Sequence, residues 1–216
     1  MTKKQKAVEI VSRLEAFYPE ATCALDWQGQ PWRLLVMGRL SAQCTDARVN
    51  IVCRQLFARY PSPEALAAAP LSEIEEIIRP CGLFRTKAQS LKASCEKLVN
   101  EYGGTLPSDM EALLSFPGVG RKIANLLRGD VFHLGGIVAD THCIRIAARL
   151  GLTKKGEKDP LRTERTLEGL IEREKQSDFC HRIVNFGREV CTARAPRCGE
   201  CVLKELCKSA SDSHFG

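Results

Sequence analysis

Three short stretches of this 216-residue sequence hold residue types that can do chemistry. The first is SFPGVGRKIANLL, residues 115–127, in which a proline and two glycines precede Arg121 and Lys122. It reads as helix, tight turn, helix. Leu113, Leu114 and Phe116 lead into the turn, and Ile123, Leu126 and Leu127 give the second helix an apolar face. Gly118 and Gly120 permit positive φ and close backbone approach. Amides exposed at the start of the second helix can then donate to a phosphate oxygen. The phosphate-loop pattern G-x4-G-K-[ST] is not met, because Arg121 intervenes and Ile123 stands where Ser or Thr is required. Lys122 falls in the first turn, where the positive helix end disfavours a further cation. Partial burial would add to this and make a nucleophilic amine available. A solvated helix lysine is nonetheless the commoner fate of such a residue.

The second stretch is IVADTHCIRIAARLGL, residues 137–152. Asp140 precedes an amphipathic helix carrying Ile144, Ile146, Ala147 and Leu150, and reads as its N-cap, worth about 1 kcal/mol. A capping carboxylate keeps spare lone pairs that could face a pocket. The residues alone do not place it beside Lys122.

The third is CTARAPRCGECVLKELC, in which Cys191, Cys198, Cys201 and Cys207 follow the spacing C-x6-C-x2-C-x5-C. Four thiolates at such spacing suit tetrahedral zinc or an iron–sulfur cubane. Zinc ribbons usually offer two separated C-x2-C knuckles, and here there is one, so the spacing favours iron–sulfur. Arg194, Arg197 and Lys204 lie among the cysteines and point to a structural clamp that presents cations to phosphate, with solvated surface charge as the alternative. The other seven cysteines (Cys23, Cys44, Cys53, Cys81, Cys95, Cys143 and Cys180) lie in apolar or helical surroundings and read as small buried residues.

The elements that must position these groups are helical almost throughout. Ala7, Ile10, Val11, Leu14 and Phe17 recur at helical spacing, as do Ile51, Leu56, Ile74, Ile77 and Ile78. Turn signals stand at residues 60–63, 103–104, 117–118 and 135–136, Ser62 precedes a Glu-containing segment, and Ser72 with Glu75 matches a capping box. No run of alternating strands, repeat or low-complexity tract interrupts the pattern, so the expected fold is all-α. KKGEKDP, residues 154–160, reads as an exposed connection, and the tail KSASDSHFG as a polar segment that frays. The apolar fraction of 44% and charged fraction of 27% are those of an ordinary soluble chain. Neither a secretory signal nor a membrane-spanning run is present, which makes a cytosolic protein the default. The net charge of +6 favours a polyanionic partner only weakly.

Together, FPGVGRK, an Asp eighteen residues beyond its Lys in ADTH, and the cysteine spacing resemble the endonuclease III family, the iron–sulfur branch of the helix-hairpin-helix DNA glycosylases. SAQCTD at 41–46 and GLFRTKA at 82–88 also resemble family segments, so the likeness runs across nearly the whole chain. The resemblance implies two helical domains flanking a DNA cleft. One is a six-helix domain over 24–134 with the hairpin; the other joins 1–23 to 135–216 and carries a [4Fe–4S] cluster held by the four clustered cysteines. It implies a bifunctional glycosylase/AP lyase of base excision repair, acting as a monomer on oxidised pyrimidines in double-stranded DNA. The compartment would be the cytoplasm, at the nucleoid in a bacterium. In that reading Lys122 is the nucleophile and Asp140 the essential carboxylate. Gln43 and Leu83 fill the gap left by a flipped nucleotide, and Gly118, Val119, Gly120, Arg121, Thr141 and His142 complete the DNA contacts. Gln43 could otherwise be a helix-surface amide, Leu83 a core residue and His142 a structural histidine.

Cys44, Ile123, Ala139 and the pair Gly135-Gly136 depart from the family pattern and bear on substrate preference more than on the Lys–Asp chemistry. Two rival readings are weaker. A monofunctional adenine-mismatch glycosylase lacks the hairpin lysine and has a further C-terminal domain. A non-catalytic DNA-binding or redox module would need neither Lys122 nor Asp140.

Overall fold

The structure, a computed structural model, describes residues 1–212. It is all-α: among the described residues there are helices and short 3-10 turns but no strand. The chain forms two compact units, Cys23–Phe132 and Met1–Thr22 with His133–Gly216.

The continuous unit runs α2 (Pro31–Leu40), α3 (Asp46–Arg59), α4 (Pro63–Ala68), α5 (Leu71–Ile78), α6 (Phe84–Tyr102), α7 (Met110–Leu114) and α8 (Arg121–Asp130). Of these seven helices α4 and α7 are the shortest, at six and five residues. Local chemistry sets the helix starts. Ser62 caps α4, its Oγ accepting from Ala65 N at 3.2 Å, and Asp109 caps α7 through Glu111 N and Ala112 N at 2.9 and 3.0 Å. The capping box expected at Ser72 does not form. Pro70 fixes φ at −60° and starts α5 at Leu71, so Ser72 already lies inside the first turn. α6 stops where Gly103 turns left-handed at φ 58°, and Gly104 N closes onto Leu98 O at 2.9 Å. The core between these helices includes Leu34 and Met37 of α2, Leu56 of α3, Leu91 and Leu98 of α6 and Leu127 of α8. Phe116, buried just before the hairpin, stacks on Tyr102 with centroids 5.4 Å apart.

The discontinuous unit pairs α1 (Lys3–Phe17) with α9 (Thr141–Leu150), α10 (Pro160–Glu168), α11 (Gln176–Glu189) and α12 (Lys208–Asp212). A complete capping box opens α1: Gln5 N donates to Thr2 Oγ1 at 3.2 Å and Thr2 N to Gln5 Oε1 at 2.8 Å. The tail expected to fray starts as the helix α12, and its residues 213–216 lie outside the described residues. KKGEKDP is a loop ending at Asp159, the N-cap of α10.

Gly135-Gly136 has a structural reason. Gly135 takes φ 73°, and a Cβ there would meet Arg173 O at 2.7 Å, while Gly136 N donates to Gln176 Oε1 at 3.0 Å. The core gathers Ile10 and Leu14 with Ile146, Phe179, Ile183 and Phe186. Gly187 lets α11 approach α9 so closely that a Cβ there would lie 2.4 Å from His142 Nδ1. That nitrogen also stands 3.2 Å from Arg145 Nη2. Burial lowers the His142 pKa, Arg145 and Arg188 push the same way, and Asp140 opposes them.

Two outcomes follow from this packing. Phe116→Ala, which empties a buried ring site, is expected to cost about 3–5 kcal/mol in urea unfolding. A loss under ~1 kcal/mol would mean that the core beneath the hairpin collapses freely. Because His142 has a depressed pKa, the folded protein binds fewer protons than the unfolded chain, so stability falls as pH drops below the ordinary histidine value of about 6.5. His142→Gln should flatten the decline in urea midpoint between about pH 7 and 5. An unchanged slope would show that His142 does not titrate across folding.

Candidate active site

The hairpin is built from Pro117 to Gly120. Gly118 is left-handed at φ 78°, and a Cβ on it would meet Arg39 Nε at 2.3 Å and Ser90 Cβ at 3.1 Å, so only glycine fits without displacement. Gly120 differs from expectation. It is extended, at φ −103° and ψ 177°, with open space where a Cβ would stand. Its absent side chain leaves room for an approaching backbone; it is not needed for backbone strain. Gly120 is also the N-cap of α8, and no side chain caps that helix. A helix start without a side-chain acceptor offers its first amides and its positive dipole end to an anion. Val119 is buried, so any contact it makes outward uses its main chain.

Arg121 and Lys122 open α8, and both are exposed. The partial burial expected of Lys122 is absent, because the second position of α8 faces away from the stripe formed by Ala124 and Leu127. Ile123, one of the family departures, turns inward: its Cγ2 lies 3.2 Å from where a Cβ would sit on Gly38 of α2.

Gln43 and Leu83 stand out in the same unit. Both are exposed and both hold left-handed backbone, at φ 55° and 48°. Non-glycine residues adopt that conformation at a cost of about 1–3 kcal/mol and keep it where the surroundings enforce it. Leu83 is 61% exposed, which rules out the core alternative. Gln43 sits in the turn between α2 and α3, not on a helix surface. Cys44 beside it is half-buried.

Asp140 caps α9 as expected. Its Oδ1 accepts from Cys143 N at 2.8 Å, which leaves Oδ2 outside the cap. Thr141 is exposed, whereas His142 is half-buried in the α9–α11 contact. Lys122 and Asp140 therefore belong to different units.

Cys191, Cys198, Cys201 and Cys207 all line one cavity of about 320 Å³ in the discontinuous unit, and all four are free thiols. Among the described residues no three His, Cys, Asp or Glu side chains converge closely enough for a single metal ion. Thiols spread around a roomy cavity match a multi-iron cluster, in which each iron takes its own cysteine. Arginines hold the loop around it. Arg149 Nη1 donates to Cys191 Sγ at 3.2 Å and Thr192 O at 2.7 Å, its Nη2 to Ala193 O at 2.9 Å, and Arg145 Nη2 to Cys191 O at 3.0 Å. Arg13 on α1 reaches Val202 O at 3.0 Å. These donors carry no local signature in the sequence, because the carbonyls they meet come from a distant loop. Of the loop's own cations, Arg197 donates to Glu189 O, while Arg194 and Lys204 are exposed.

Among the described residues no helix is long and apolar enough to cross a membrane. The family pattern for HhH-GPD superfamily base excision DNA repair proteins matches residues 36–173, and that for the iron–sulfur binding domain of endonuclease III matches 191–207. Endonuclease III of Synechocystis sp. is 49% identical over 213 residues, covering 98% of this chain and 96% of the relative. That of Bacillus subtilis is 39% identical over 92% of this chain and 90% of the relative. A solved structure of a trapped endonuclease III–DNA covalent intermediate, an estranged-adenine complex, superposes with a TM-score of 0.91 at 38% identity, covering 98% of this chain and 99% of that one. The hairpin, the cysteine cavity and these likenesses agree: the chain belongs to the endonuclease III family of base excision repair enzymes, DNA glycosylase/AP lyases with an iron–sulfur cluster and DNA as their partner.

Proposed function

We propose that this enzyme removes oxidised pyrimidines from duplex DNA and cuts the strand 3′ to the resulting abasic site, with Lys122 as nucleophile and Asp140 as essential carboxylate. It acts as a monomer in the cytoplasm, and the hairpin-bearing and cysteine-bearing units serve as its two domains. The observation that carries this reading is the exposed Lys122 in the first turn of α8, directly behind an N-cap that offers no side chain. The amides of Gly118 and Gly120 grip a phosphate, which fixes where the Lys122 amine points. The target nucleotide rotates out of the stack, Gln43 and Leu83 enter the gap, and Thr141 lies against the DNA. The contacts of His142 favour a role in holding α9, and with it Asp140, over direct DNA contact.

As the base departs with its bonding electrons, positive charge grows on the sugar and the Asp140 carboxylate stabilises it. Asp140 also helps take a proton from the Lys122 ammonium. The neutral amine forms a bond to C1′, the sugar ring opens and an iminium results. Loss of a C2′ proton then expels the 3′ phosphate oxygen, which completes β-elimination. Only an amine can form that iminium. A relative trapped covalently on DNA supports this chemistry.

Cys191, Cys198, Cys201 and Cys207 would hold the [4Fe–4S] cluster, whose iron–thiolate bonds staple the loop. Arg149 and Arg145 orient the carbonyls and the first sulfur around it.

Borohydride reduction on an abasic duplex tests the nucleophile. The parent protein should yield a covalent adduct and Lys122→Ala none; an undiminished adduct from Lys122→Ala would refute the assignment. Asp140→Asn keeps a cap acceptor, so it should fold normally yet lose about 10²–10³ in base removal. Arg149→Met is expected to lose its visible absorbance to an iron chelator faster than the parent. Equal bleaching rates would show that Arg149 does not brace the cluster loop.

A further inference from the structure

Lys87, in the first full turn of α6, is completely buried. Its Nζ donates to three backbone carbonyls: Leu40 O at 2.9 Å, Ala42 O at 2.7 Å and Cys81 O at 2.8 Å. An ammonium has three N–H donors, so all of them are used. Leu40 O ends α2, Ala42 O lies in the turn that carries Gln43, and Cys81 stands two residues before Leu83. Lys87 N also donates to Leu83 O at 3.0 Å, which closes the first turn of the helix behind that residue. The residues it ties together, Gln43 and Leu83, are both exposed and both left-handed.

We propose that Lys87 is a positioning residue for nucleotide extrusion: its ammonium binds the Gln43 turn and the Leu83 turn into one rigid unit, so that both side chains enter the duplex together. The proposal rests on the reading of Gln43 and Leu83 as gap-filling residues. Leu40 ends α2, Ala42 lies in the turn after it and Cys81 ends a short 3-10 turn, so their carbonyls stand where a helical partner runs out and need another donor. A single point donor between them satisfies all three and leaves neither turn free to move alone. Burial lowers the Lys87 pKa, and the neighbouring Cys44 and Cys81 thiols oppose that shift in their thiolate form.

The test compares two substrates under single turnover. One is a duplex with a paired oxidised pyrimidine, which must be extruded; the other is an abasic site in a single strand, where nothing is paired. Lys87→Met keeps the stem and removes the donors. It should lower the ratio of paired-lesion to single-strand cleavage by about 100-fold, the scale on which small misplacement of a working group acts. A 2-aminopurine opposite the lesion should lose most of its fluorescence rise, because the wedge no longer enters. Added to Gln43→Ala/Leu83→Ala, Lys87→Met should give no further fall in the ratio. If Lys87→Met does not yield folded protein, Lys87→Gln, with two N–H donors, carries the same comparison. Equal loss on both substrates, no loss on either, or a further fall in the triple variant would overturn the proposal. A Gln43→Ala/Leu83→Ala variant that cleaves the paired lesion like the parent would overturn the gap-filling reading instead. Selective loss in that variant with none in Lys87→Met would leave the reading standing and remove Lys87 from it.

Discussion

Backbone that leaves a helix must find hydrogen-bond partners elsewhere, and in this protein one helix supplies donors to the Gln43 turn, the Leu83 turn and the hairpin. Along α6, Lys87 bonds carbonyls of the Gln43 and Leu83 turns, Ser90 Oγ accepts from Arg39 Nε at 2.9 Å, and Ser94 Oγ donates to Pro117 O at 2.9 Å. Arg39 in turn lies against Gly118, where a Cβ would strike it. The two turns and the hairpin thus share a single reference element, although they come from residues 41–44, 81–83 and 117–120. Its buried apolar side, with Leu91, Cys95 and Leu98, fixes α6 in the core of that unit.

The cysteine-bearing unit solves the same problem with different donors. Its loop from Cys191 to Cys207 has little regular structure beyond two 3-10 turns, and Arg13, Arg145 and Arg149 reach into it from α1 and α9. Guanidinium suits this task because its planar fork spans several carbonyls at once, as Arg149 does for Thr192 and Ala193. Lysine suits the other unit because three separate acceptors converge on one point. The fork follows a loop along its length; the ammonium joins two loops at a node.

What the sequence made legible was what is local. The hairpin residues, the Asp140 cap and the cysteine spacing are short-range patterns whose chemistry needs no neighbour from afar, and the fold class followed from helical periodicity. Ser72 was misread because Pro70 two residues earlier moved the helix start, and Gly120 because an extended glycine and a left-handed one look alike in sequence. Gln43 and Leu83 came into view only through resemblance, since their strained φ is imposed by tertiary contacts. Lys87 was invisible: its burial depends on carbonyls supplied by Leu40, Ala42 and Cys81, none of which carries a side-chain signature.

Supporting and reacting groups are therefore distributed in opposite ways. Lys87 commits all its donors and is sealed from water, whereas Lys122 is exposed at a helix start that no side chain closes. Committing a lysine to three acceptors makes it a poor nucleophile, because no donor or lone pair remains for a substrate. Leaving one exposed makes it a poor strut, because solvent screens whatever it touches. Two lysines of one unit, on α6 and α8, thus divide roles that neither could combine. Asp140 meets the same tension by splitting its oxygens: Oδ1 is spent on Cys143 N to fix the carboxylate in direction, and Oδ2 is kept out of the cap. A group that must act on DNA is held by what lies behind it and left free on the side that reacts.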